Sequence, residues 1–247
     1  MDMEKVQQLQ QKINAAHRIV FFGGAGVSTE SGIPDFRSQD SLYHQQYDVP
    51  PETILSRTYF DRHPAEFYRF YRNKMICLTA KPNAAHKKLA ELEQAGRLLA
   101  VVTQNIDGLH QMAGSRNVLE LHGSVHRNIC RSCGAVYDAE WVMMTNGIPY
   151  CDKCGGMVKP DVVLYEESLS EDVLTRSISA IASADLLIVG GTSLVVYPAA
   201  GLLRYFQGDS LVLINRDATQ MDKMADLCIR DAIGAVMEQI QVPEKEA

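Results

Sequence analysis

Hydrophobic and polar positions follow two rhythms along this chain. Continuous apolar runs of strand length occur at 18–22, 98–102, 118–121, 162–165, 185–189 and 211–214, with a last short one at 226–230. Between them lie stretches with helical spacing. Val6, Leu9 and Ile13 share one face of 2–16, and Phe67, Phe70 and Tyr71 mark 64–75. Pro64 suits the first turn of that second helix, where its missing N–H has no intrahelical partner. A helix over 82–95 stops at Gly96, and further helices are expected over 170–182, 197–206 and 232–240. Residues 38–63, with Pro50-Pro51, carry neither rhythm and are expected to form part of a flexible loop or lid. Strands alternating with helices predict an α/β fold: a mainly parallel sheet with helices on both faces.

Polar residues gather just after the strands, at 23–29, 103–107, 122–123, 190–193 and 215. Open α/β sheets bind ligands at the carboxyl ends of their strands. Five polar strand ends on one edge therefore point to a single site. The most informative stretch is Phe21 to Arg37, FFGGAGVSTESGIPDFR. Glycines directly after a strand let the backbone approach a ligand, and a helix beginning at Ser28 would aim its free N–H groups at a phosphate. The pattern Gly24-x-Gly26-x-x-Thr29 departs from the dinucleotide fingerprint at its third glycine. A plain tight turn between strand and helix is the competing reading. Gly32 to Arg37 is a stiff polar-aromatic loop where a dinucleotide-binding helix would simply continue.

Composition narrows the function classes. The 247 residues suit one large domain, or one domain with a small insert, and a net charge of −6 argues against a nucleic-acid binder. The N-terminus, Met1-Asp2-Met3-Glu4-Lys5, lacks an apolar signal core, and no apolar run is long enough to span a membrane. A cytoplasmic monomer is expected.

Four of the six cysteines form two pairs, Cys130-x-x-Cys133 and Cys151-x-x-Cys154, separated by 17 residues (134 to 150). That is the spacing of a zinc ribbon. Four thiolates complete a tetrahedral zinc and leave no open position, so the metal would be structural. Cys77 and Cys228 stand apart and read as packing residues.

Among the strand ends, His122 before Gly123 is a candidate general base, since a neutral imidazole suits a ribose hydroxyl. Gln104, Asn105 and Asp107 are hydrogen-bonding groups, and Asn105 or Asp107 could equally cap a helix. Asn215 ends its strand where dinucleotide-binding folds often place an acid on the ribose; it could also be a turn residue. Gly191-Thr192-Ser193 offers hydroxyls to a phosphate or ribose.

Taken together these residues resemble the sirtuins, NAD-dependent protein lysine deacylases. Gly24 to Ser28, Gly32 to Arg37, Thr103 to Asp107, His122-Gly123, the four cysteines, Gly191 to Ser193 and Asn215 match in family order, over about residues 18 to 232. The size is that of a compact bacterial member. The resemblance implies a single catalytic domain with two lobes. A large Rossmann-like lobe would comprise about 1–37, 76–126 and 160–247. A small lobe would combine a helical part, 38–75, with a zinc ribbon, 127–159. It implies NAD as a consumed co-substrate and one structural zinc on Cys130, Cys133, Cys151 and Cys154. NAD would be held by Gly24, Ala25, Gly26, Thr29, Asp35, Phe36, Arg37, Gln104, Asn105, Ile106, Asp107, His122, Gly191, Thr192, Ser193, Asn215, Asp231 and Ala232. Asp107 would bind the nicotinamide carboxamide, Asn105 would order a water or the ribose, and Phe36 would shield the ribose C1′. The acyl oxygen of an acetyl-lysine attacks C1′ as nicotinamide leaves. His122 then draws a proton from the ribose hydroxyls, and water completes the release of lysine and O-acetyl-ADP-ribose. The partner is an acetyl-lysine protein or peptide, lying in a cleft beside 162–165 and Val195.

Two positions depart from the family pattern. Tyr165-Glu166-Glu167 stands where Phe-Gly-Glu is usual, and the extra acid would favour basic peptides. Members that remove succinyl groups carry a tyrosine and, three residues on, an arginine. Here Tyr68 is followed at that offset by Tyr71, and Arg72 lies one place further, a turn of about 100° away. Deacetylation, or removal of a longer chain, is expected over desuccinylation. Mono-ADP-ribosyl transfer would use the same bond cleavage, and a zinc-ribbon binding protein is the non-enzymatic alternative.

Overall fold

β1 (Ile19–Gly23) runs through the middle of the molecule with every residue buried. Its side chains divide between two cores. Ile19 and Phe21 join one apolar cluster, Val20 and Phe22 the other. This is the burial that an unbroken apolar run requires, because successive side chains leave opposite faces of a strand. The computed structural model describes residues 1–35 and 49–243.

β1 belongs to a six-stranded sheet with β2 (Leu98–Thr103), β3 (Val118–Glu120), β7 (Leu186–Gly190), β8 (Ser210–Ile214) and β9 (Leu227–Ile229), in the order β3-β2-β1-β7-β8-β9. All its strand pairs are parallel. On one face lie α1 (Met3–Ala15), α5 (Ala84–Gln94) and α9 (Ile233–Glu238), whose apolar residues fill the first cluster. On the other lie α8 (Glu171–Ser183) and a 3-10 helix, Ala199–Tyr205. The chain leaves β1 for β2 on one side and later returns to β7 on the other. The strand order therefore reverses at β1, where a crevice opens at the carboxyl ends.

A second, antiparallel sheet has the order β5-β4-β6, made of β4 (Gly123–Cys130), β5 (Val136–Tyr137) and β6 (Val158–Val162). β4 spans 126 and 127, the expected boundary between lobes, and its pairing with β6 is irregular between Gly123 and Asn128. Against this sheet pack α3 (Arg57–Arg62) and α4 (Pro64–Lys74), through fully buried Phe60, Phe67, Tyr68, Phe70 and Tyr71. Each such ring contributes roughly 1.5–3 kcal/mol of apolar burial.

Four expectations are corrected. The run at 162–165 is not a strand of the parallel sheet: the strand there is β6 (Val158–Val162), which pairs antiparallel with β4 in the second sheet. Residues 51–62 are not irregular: they form α2 (Pro51–Ile54) and α3, because Pro51 takes the first helical position and Ser56 caps the next helix by accepting from the Tyr59 N–H. The helix over 197–206 is a 3-10 segment. No α-helix begins at Ser28. The chain instead makes two 3-10 turns, Ala25–Val27 and Thr29–Ser31, ended by Gly32 at φ +83°. Pro34 disfavours helical geometry at Ile33, so the segment cannot continue as a helix. Among the described residues no helix is long and apolar enough to cross a membrane.

Candidate active site

Strand register assembles the site. Gly23 pairs with both Thr103 and Gly190, Thr103 with Glu120, and Gly190 with Ile214. The five strands thus end in one row, and the polar residues that follow share one edge.

The loops after β1 and β7 touch directly. Gly26 donates its N–H to the Gly191 carbonyl at 2.8 Å, and a Cβ on Gly26 would lie 2.8 Å from the Gly191 Cα. These glycines bring two strand ends together as well as clearing a path for a ligand. The side chains then lace across the row. Gln104 donates to Thr192 Oγ1 at 3.1 Å, and the Thr192 N–H donates to Asn215 Oδ1 at 2.9 Å. The other amide atom of Asn215, Nδ2, is buried with no hydrogen-bond partner among the described residues. A buried donor in that state calls for an acceptor beyond the described residues, a place that a ribose hydroxyl would fill.

Below the β1 turn, Ser28 donates to Asp107 Oδ2 at 2.6 Å and accepts from Asn105 Nδ2 at 3.1 Å. Asp107 Oδ1 accepts from the Leu109 N–H at 2.9 Å and so ties down the start of α6 (Leu109–Ala113), but the N-cap is Gly108, not Asn105 or Asp107 as expected. The Asp107 carbonyl lies 3.0 Å from His126 Nε2. Ile106 is half-buried, and its carbonyl accepts from the Val125 N–H at 2.9 Å. Sequence reasoning gave Ser28 no role of its own, since nothing local signals a hydroxyl whose partners lie 77 and 79 residues away.

His122 is mostly buried beside this row. Its Nδ1 lies 2.9 Å from the Gln104 carbonyl. A carbonyl only accepts, so Nδ1 carries the proton and Nε2 keeps its lone pair. Burial lowers the imidazole pKa, while that hydrogen bond partly raises it. Gly123 follows at φ +76°, where a Cβ would stand 1.9 Å from the Asp161 carbonyl. No other residue allows β4 to pair with β6 so close to the histidine.

The remaining expected residues sit around the rim. Ala25 and Thr29 lie in the 3-10 turns, Thr29 donating to the Gly26 carbonyl at 3.0 Å; Asp35 is half-buried and Ser193 exposed. Asp231 accepts from the Ala232 N–H at 2.8 Å and pairs with the Met1 ammonium at 3.3 Å. Those two contacts, the amide first, hold its carboxyl below the usual range. Glu30 reaches across to accept from the Gly234 N–H at 2.6 Å, tying the β1 turn to α9. Phe36 and Arg37 lie outside the described residues.

Cys130, Cys133, Cys151 and Cys154 bring their sulfurs within 4.8 Å of one another. The closest pairs stand at 3.5 and 3.6 Å, near the ~3.8 Å edge of a tetrahedron with Zn–S bonds of about 2.3 Å, and far beyond a disulfide bond. The set is arranged to bind a metal ion and has the chemistry of zinc. Arg72, by contrast, is turned away from the row: it donates to the Val142 carbonyl at 2.9 Å and to Thr145 Oγ1 at 2.7 Å.

The sequence model of the Sir2 family matches residues 24–198. An NAD-dependent protein deacetylase of Clostridium acetobutylicum is 58% identical over 241 residues, covering 96% of this chain and 98% of that protein. The structure of a Sir2 homologue in complex with NAD superposes with a TM-score of 0.85 at 39% identity, over 94% of this chain and 91% of that one. A Sir2 structure with a deacetylated p53 peptide and 3′-O-acetyl ADP-ribose gives a TM-score of 0.85 at 38% identity, over 94% and 95% of the two chains.

Proposed function

The chain belongs to the Sir2 family, and on that premise we propose that it is an NAD-dependent protein lysine deacetylase. It transfers the acetyl group of acetyl-lysine to ADP-ribose, releasing nicotinamide and O-acetyl-ADP-ribose. The observation that carries this reading is the His122–Gln104 bond, which leaves a basic Nε2 beside the row of strand ends.

In this reading the NAD phosphates and adenosine ribose lie along Gly24 to Thr29 and Gly191 to Ser193. The orphaned Asn215 Nδ2 meets a ribose oxygen, and Asp231-Ala232 closes the adenosine end. Asp107, held by Ser28, faces the nicotinamide carboxamide beside Ile106. Asn105 orders water or ribose. Asp35 and Arg37 help to hold NAD, and Phe36 shields the ribose C1′. His122 Nε2 takes the proton of a ribose hydroxyl, so that its oxygen can attack the acylated carbon. Zinc, when bound, supplies a fixed tetrahedral cross-link; it brings no Lewis acid to the reaction because four thiolates fill it. The acyl-lysine peptide pairs with 162–165 and with residues near Val195, between a large lobe of 1–37, 76–126 and 160–247 and a small one of 38–75 and 127–159. We infer a cytoplasmic monomer with no nucleic-acid partner, in keeping with the net charge of −6.

The test is nicotinamide release from NAD in the presence of acetylated or unmodified peptide, with product analysis. Release that needs the acetyl group and yields O-acetyl-ADP-ribose supports the proposal. Label transferred to protein instead would favour mono-ADP-ribosyl transfer.

A further inference from the structure

Beyond β6 the chain leaves the sheet, forms a single bridge between Tyr165 and Ser56, and then turns through Glu166 at φ +75°, a left-handed conformation that non-glycine residues rarely take. What holds it there is the residue's own carboxylate. Glu166 Oε2 accepts from the Thr58 N–H at 2.9 Å, in the first turn of α3. The acid is therefore bonded to a helix end while it stays exposed. Glu167 clamps the same turn from its other side. It accepts from the Leu164 N–H at 2.9 Å, Lys159 Nζ at 3.1 Å and Arg57 Nη1 at 2.9 Å. Both backbone groups of Tyr165 are also taken: its N–H by Leu55 at 3.0 Å and its carbonyl by Arg57 at 2.9 Å.

Arg57 does not stop at Glu167. Its Nε donates to Asp61 Oδ2 at 2.8 Å, and Asp61 Oδ1 accepts from Arg131 at 2.9 Å. Arg131 lies between Cys130 and Cys133. Lys159, Glu167, Arg57, Asp61 and Arg131 form a continuous chain of ion pairs from the strand end to the cysteine cluster. Exposed single pairs contribute little, but a network that shares its members restricts each of them.

We propose that Glu166 and Glu167 are positioning residues for the peptide substrate: with Arg57 they clamp the segment 162–165 onto α3, and through Asp61 and Arg131 they fix it relative to the cysteine ribbon. This rests on the reading above that an acyl-lysine peptide pairs with 162–165. A segment that receives a peptide must already be ordered, because the cost of ordering it is otherwise subtracted from affinity. The segment donates the Val163 N–H to the His122 carbonyl at 3.0 Å, while the carboxylates of Glu166 and Glu167 bond only Thr58, Leu164, Lys159 and Arg57 among the described residues, so their loss should act first on peptide binding.

Steady-state kinetics with an acetylated peptide test this in the zinc-loaded protein. Glu166→Ala should raise the peptide KM about tenfold and leave kcat and the NAD KM within about twofold. Glu166→Gln keeps an accepting oxygen and should restore the peptide KM. Glu166→Gly relieves the left-handed backbone while removing the carboxylate, so a raised KM in that variant cannot come from strain or poor folding. Asp61→Asn should raise the peptide KM at full zinc content. An unchanged peptide KM in Glu166→Gly, or parallel changes in kcat and both KM values, overturns the proposal. If the unsubstituted protein fails to release nicotinamide with acetyl-peptide, it is the deacetylase reading that has failed.

Discussion

His122 and Gln104, 18 positions apart, are joined by a 2.9 Å hydrogen bond from the imidazole Nδ1 to the main-chain carbonyl. The bond selects the tautomer whose Nε2 is basic. Burial pushes the imidazole pKa below its ordinary value, so the basic form survives into mildly acid solution. The acid limb of kcat/KM should therefore fall with an apparent pKa below about 6.5. A limb centred well above that value would remove His122 as the base. His122→Tyr should cut turnover by roughly 100- to 10,000-fold with zinc content and melting temperature retained.

Ser28 and Asp107 share a short side-chain hydrogen bond of 2.6 Å. Ser28→Ala removes that donor and the acceptor of Asn105 together. Hydrogen bonds to charged groups contribute about 1.5–3 kcal/mol, so kcat/KM for NAD should drop by about 10- to 100-fold. An unchanged value would show that Asp107 needs no holding.

The buried rings of His86 and His110 lie 4.7 Å apart, tilted by 58°, and both ring nitrogens of His110 lack partners among the described residues. Burial lowers the His86 pKa to about 4 and that of His110 well below normal. The unfolded chain therefore takes up these protons first as pH falls. Stability should be constant above about pH 7 and decline from about 6.5 downward, by at most about 1.4 kcal/mol per pH unit for each histidine. Urea unfolding of wild type and His110→Phe at pH 7.5 and 5.5 checks this; an equally steep decline in the variant would contradict it.

Chelation should release one equivalent of zinc and cost the protein its activity and the order of β5. The ribbon has a small core, Cys130, Cys151 and Val158 with a few partly buried neighbours, so the metal supplies most of its stability. A folded, active, metal-free protein would refute this.

Arg72 spends its guanidinium on Val142 and Thr145. Acetyl should be removed from matched peptides at least about tenfold faster than succinyl, since a succinyl carboxylate would then meet no such arginine. Faster desuccinylation would show that another cation serves the acyl pocket.

Much of this molecule was legible in the chain because the signals are local. Unbroken apolar runs mark strands buried on both faces, polar residues after them mark the ligand edge, and two Cys-x-x-Cys pairs carry their own metal geometry. Locality also explains the errors. The glycines after β1 looked like the start of a helix, but Gly32 and Pro34 leave room only for 3-10 turns. The short α2 and α3 have too few residues to show a period.

Sequence by itself determined the strands of the parallel sheet and the long helices between them, the family and the residue types available at the strand ends. Only the tertiary structure decided which atoms those residues use. The Ser28–Asp107 bond spans 79 positions and the Glu166–Thr58 contact 108. Such pairs exist only once parallel register has brought distant strand ends into one row. Register is a property of the packed sheet as a whole, fixed by which faces are buried, and no single stretch of sequence contains it.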